Sequence, residues 1–95
     1  MLKGGDFLIY LVTYDLNKSG QNYSKLYDAL KSFPSWCHCT DSTWLIESYS
    51  DSETIYKKLN SSLDTNDQIL IIKVSKDYCG VLPRKTCDWL NSNID

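Results

Sequence analysis

Residues 7–16, FLIYLVTYDL, constrain what this chain can fold into more than any other stretch. Seven of the first eight are apolar. In a strand, alternate positions share a face, so Phe7, Ile9, Leu11, Thr13 and Asp15 fall on one side and Leu8, Tyr10, Val12 and Tyr14 on the other. A strand that is apolar on both faces belongs inside a sheet covered on both sides. The run nevertheless ends on a carboxylate, Asp15, followed by the turn-forming NKSGQN. Two readings of that acid stay open. It starts a loop, its side chain accepting backbone N–H groups in an Asx-turn, or it stands at the strand mouth to hold a cation or touch a substrate.

The opening MLKGGDFLIYLVTYD pairs a lysine with an apolar stretch, as a secretory leader does. No small-residue cleavage site follows, and the acid and polar turn fit a core strand better, so a cytoplasmic protein is expected. No apolar run approaches the roughly 18–20 residues that span a bilayer, which leaves no membrane partner.

The rest of the chain fits around the first strand as one unit. NYSKLYDALKSF spaces Tyr23, Leu26, Tyr27, Leu30 and Phe33 as an amphipathic helix stopped by Pro34. Its tyrosines read as core residues with hydroxyls at the rim rather than as a base-stacking platform. SWCHCTDSTWLIES reads as two short strands around a turn at Asp41-Ser42. SDSETIYKKLNSSL is a second amphipathic helix on Ile55, Leu59 and Leu63, with Ser50 and Glu53 as its capping box. QILIIKVS is another buried strand, and the tail LPRKTCDWLNSN a short docked helix or turn.

That order is β-α-β-β-α-β, an α+β fold of ferredoxin-like type. It predicts a four-stranded antiparallel sheet with two helices on one face. Ninety-five residues allow one such domain, 1–95, with 81–95 as its docked tail. The other sheet face remains apolar and calls for a cover, and a homodimer through that face is the commonest solution.

Ten basic residues, only one of them arginine, stand against twelve acidic ones, a net charge of −2. Proteins that grip long duplexes carry a basic face; here there are only Lys57-Lys58 and Arg84-Lys85. Any nucleic-acid contact is then local, metal-assisted or weak. The four cysteines read as free thiols. Cys37 and Cys39 share one strand face with His38 on the other, and their spacing to Cys79 and Cys87 matches no common zinc module. Buried small hydrophobes are the expected role for these thiols. Nothing assembles His38 with a cysteine or serine into a nucleophilic set, and Asp41, Glu47 and Asp77 are not grouped by sequence.

The stretches YLVTYDLNKSGQNYSKLYDALKS, DSTWLIES and NDQILIIKVSKDYCG together resemble a group of small bacterial and phage proteins labelled SinR-like. That group is similar to the CRISPR-associated Cas-two proteins, and the VapD toxin ribonucleases are similar in fold. The resemblance covers about residues 7 to 90. It implies an opening strand ending in Tyr14-Asp15, with Asp15 and its symmetry mate holding Mg²⁺ or Mn²⁺ for phosphodiester hydrolysis. It implies a catalytic part for Ser42 of the hairpin as well. Three classes follow: a metal-dependent endonuclease or ribonuclease, a non-catalytic dimer, and a small-molecule or nucleotide binder. The second would bind nucleic acid or a nucleic-acid-processing complex, for example as a phage-encoded inhibitor of a CRISPR or other antiviral defence.

Overall fold

The computed structural model describes residues 7–16 and 23–93. In chain order the elements are β1 (Leu8–Asp15), α1 (Ser24–Lys31), β2 (Ser35–Thr40), β3 (Thr43–Ser48), α2 (Ser52–Asn60), β4 (Gln68–Lys73) and α3 (Arg84–Asn93). The four strands form one antiparallel sheet in the order β2-β3-β1-β4. The first six elements are compatible with the ferredoxin-like class.

β1 is a central strand because both of its neighbours complete its ladder: Val12 lies opposite Trp44 of β3 and Ile71 of β4. Its even-numbered face meets the helices. Tyr10, Val12 and Tyr14 pack with Trp44 and Ile46 of β3, Leu26 and Leu30 of α1, and Ile55 and Leu59 of α2. These spacings put one stripe of each helix on the sheet and leave the charged stripe in water. α1 stops at Lys31, where the Ser32 N–H turns back to the Ala29 carbonyl at 3.2 Å, ahead of Pro34.

The second helix begins one residue later than its sequence suggests. Asp51, not Ser50, is the N-cap, its Oδ1 accepting the Thr54 N–H at 2.9 Å. The Ser50 N–H is spent on Ser48 Oγ at 3.0 Å, and Glu53 pairs with Lys57 at 3.4 Å on the exposed side. Two adjacent capping residues compete here, and the strand exit takes the first.

The opposite sheet face is covered by the chain itself, in part. α3 lays Leu90 and Trp89 against Ile9, Leu11, Cys37 and Leu45. Trp89 Nε1 donates to Ser35 Oγ at 3.1 Å, and the Cys37 thiol reaches Thr86 Oγ1 at 3.7 Å. The tail, expected as a short docked helix or turn, forms the helix α3 and takes part of the face expected to call for a second copy.

β4 departs from expectation. QILIIK reads as a buried strand, yet Leu70 is 54% and Ile72 48% exposed. β4 is an edge strand, and these two side chains share the β1 face of Leu11 and Thr13 where α3 does not reach. An apolar run looks the same whether its face is covered or awaiting a cover. Among the described residues no helix is long and apolar enough to cross a membrane.

Candidate functional site at the Asp15 end of the sheet

Asp15 is the last residue of β1, exposed, and opposite Gln68 of β4. Its position follows from the ladder. The preceding Tyr14 N–H donates to the Ser42 carbonyl at 3.0 Å, in the tight turn between β2 and β3. Asp15 and Ser42, separated by 27 positions in the chain, therefore lie at the same end of the sheet, both exposed. Thr13 and Thr43 share a hydroxyl–hydroxyl hydrogen bond of 3.3 Å across the ladder just inside this end. A depression of about 290 Å³ is bounded by Thr13, Tyr14, Asp15, Gln68, Ile69 and Leu70.

Tyr14 fixes this end from below. Its hydroxyl donates to the Asp41 carbonyl at 3.1 Å and accepts from Trp44 Nε1 at 2.8 Å. Burial pushes the Tyr14 phenol up to about 12, against the pull of the Trp44 hydrogen bond. His38 stacks on Trp44, ring centroids 4.0 Å apart, with Nε2 3.3 Å from the Asp41 carbonyl. Its work is to brace the turn. It faces away from Cys37 and Cys39, which line the α3 side as the strand alternation requires.

Other acids divide between the two ends. Asp41 joins Asp15 through the turn. Asp67 lies beside Gln68 and holds the approach to β4, accepting from the Tyr23 hydroxyl at 3.1 Å and the Asp64 N–H at 2.8 Å. Glu47, opposite Ile9, is buried at the other end, and Asp77 follows the Val74 N–H that bonds Ile9 O at 2.8 Å. Sequence alone did not sort these acids; the register does.

Among the described residues no three His, Cys, Asp or Glu side chains come together to hold a metal ion. The described residues of one chain thus bring to this end Asp15 without a clustered set of donors, which is incomplete for Mg²⁺ or Mn²⁺. The cysteines are free. Burial, reinforced by neighbouring Cys37, raises the Cys39 thiol to about 12, so it stays protonated at neutral pH. The docking of Trp89 on Ser35 and of Thr86 on Cys37 had no local sequence signal beyond the apolar content of the tail.

No family model and no curated protein matches this chain. Among solved structures, the crystal structure of the hypothetical protein TT1823 from Thermus thermophilus has a TM-score of 0.59. It is 24% identical, and the match covers 81% of this chain and 95% of that one. The likeness supports the fold and carries no activity with it.

Proposed function

We propose that this protein is a homodimer of ferredoxin-like subunits acting on or around nucleic acid, in the manner of the SinR-like and Cas-two proteins it resembles. One observation carries the reading: Asp15 lies on the same sheet face as the exposed Leu70 and Ile72. An apolar strip open to water favours a partner, and an isologous second copy is the commonest one. With the two-fold axis beside the end of β1, the seam carries two Asp15 carboxylates flanked by two Ser42 turns. Two such acids share a proton or a cation. Mg²⁺ or Mn²⁺ held there would supply a polarised water and charge stabilisation for phosphodiester cleavage. An axis through the middle of the strip would set the acids apart and leave a dimer without that chemistry.

The charge at this end favours a second reading. Asp15, Asp41 and Asp67 present negative charge to any phosphate that arrives without a cation. A non-catalytic dimer of this kind suits a basic, nucleic-acid-binding channel on a defence complex.

The test is cleavage of single- and double-stranded DNA and RNA by the purified protein in Mg²⁺, Mn²⁺ or EDTA. Asp15→Asn and Ser42→Ala run beside it, with light scattering on all three. Metal-dependent cleavage that Asp15→Asn abolishes in an intact dimer supports the first reading. A dimer that cleaves nothing gives way to the second, and a protein monomeric at every concentration overturns both.

A further inference from the structure

The sheet face opposite α1 and α2 holds a second feature, which meets the Asp15 end at Thr43 but does not include Asp15. Between β1–β3 and the segment that returns from β4 into α3 runs a groove of about 510 Å³. Its walls are Leu11, Leu45, Leu82 and Leu90, with Cys39 and Cys87 between them. Thr40, Thr43, Asn91 and the Tyr78 hydroxyl, which donates to Asn91 Oδ1 at 3.3 Å, are its polar groups, and no Asp, Glu, Lys, Arg or His is among the described residues that line it. This is the size and lining of a small-molecule site: mostly apolar, with a few convergent hydrogen-bonding groups.

We propose that this groove binds a small, neutral, largely apolar molecule. The groove is open along residues 78–82, and its floor of Leu11, Leu45 and Leu90 has no carboxylate, amine or imidazole beside it to pair a charge set against it, which favours an uncharged ligand. The Cys39 thiol is protonated and adds no charge. A second copy of the chain is the less suited occupant. The exposed Leu70 and Ile72 that favour dimerisation lie on β4, which contributes no residue to the groove. The occupant would touch both the sheet and the C-terminal segment, tying Leu82 and Leu90 to Leu11 and Leu45. Binding then raises the melting temperature, since the ligand is lost when α3 lifts away.

The probe is N-phenyl-1-naphthylamine, neutral and fluorescent in apolar surroundings, set against the anionic 8-anilinonaphthalene-1-sulfonate. The neutral dye is expected to bind more tightly. Held at about ten times its dissociation constant, it should slow N-ethylmaleimide labelling of Cys87 about tenfold, because only the empty fraction reacts. Leu11→Phe fills the groove from the sheet, and Leu82→Trp from the segment. Either should abolish binding, while Asp15→Asn leaves it intact, which separates this site from the one proposed above. The inference is overturned by no uptake of the neutral dye, by a preference for the anionic dye, or by binding that survives both filling variants. Uptake that falls in step with dimer formation in light scattering also overturns it, by giving the groove to a second copy.

Discussion

Tyr14 joins the core to the candidate site, since its ring is buried while its backbone and hydroxyl hold the hairpin turn beside Asp15. Replacing it with Phe would keep the packing and leave Trp44 Nε1 buried without its acceptor. An orphaned buried donor costs about 1–3 kcal/mol, read as a lower urea midpoint with unchanged slope. The same phenol makes a pH prediction. Its folded value is raised above the ordinary tyrosine range, so the native state holds the proton more tightly than the unfolded chain. The stability this contributes is complete below about pH 10 and is lost as pH rises through about 12. Ultraviolet titration should show Tyr14 ionising above the ordinary tyrosine range, and Tyr14→Phe should flatten the alkaline fall in stability. Asp51 behaves in the opposite sense. Its bond from the Thr54 N–H lowers its carboxyl, so its contribution is present above the ordinary Asp range and lost as pH falls through the depressed value. Asp51→Ala should lower the melting temperature at neutral pH, and Asp51→Ser, which can still cap, should restore most of it.

Elements were legible where periodicity and local chemistry agreed. β1, α1, the β2–β3 hairpin and α2 follow from alternation, helical spacing, Pro34 and the Asp41-Ser42 turn, and the opposite facing of Cys37 and His38 follows from the pleat. The cap of α2 was displaced because Ser50 and Asp51 are both competent and only the tertiary path of the chain decides between them. β4 was misjudged for a different reason. Leu70 and Ile72 are apolar for a face, and a sequence does not state what covers a face. The same gap hid the docking of α3, whose anchors Thr86, Trp89 and Leu90 meet residues about 45 to 80 positions earlier in the chain. That docking is testable at the scale of the helix. Trp89→Ala removes the bond to Ser35 and the packing on the sheet. It should cost on the order of 2 kcal/mol, below the range for a fully enclosed tryptophan because Trp89 is only half-buried. Cys37, which α3 shields, should then react with N-ethylmaleimide well before global unfolding.

At the scale of the whole molecule, one sheet face is covered over only half its width. α3 closes the half over β2 and β3, and the half over β4 stays open, ending at Asp15. That division makes the proposed dimer separable from the fold of the single chain. Leu70 and Ile72 already face water in the single chain, so Ile72→Lys exchanges one exposed side chain for another. Surface changes of this kind alter monomer stability by no more than about 0.5 kcal/mol. If a second copy seats on this strip, the same substitution places two lysines, one from each copy, in an apolar seam. Neither has a partner there, and buried unpaired charge is strongly unfavourable. The expected outcome is a protein with an unchanged unfolding transition at low concentration, but without the concentration-dependent rise in mass and melting temperature of the parent. Sedimentation or light scattering across a dilution series reads the first, and scanning calorimetry the second. A dimer that survives Ile72→Lys must use another surface, and two Asp15 carboxylates would then have no common seam. Cleavage lost together with the dimer would instead make the pairing of chains, rather than any residue within one, the unit that completes the site.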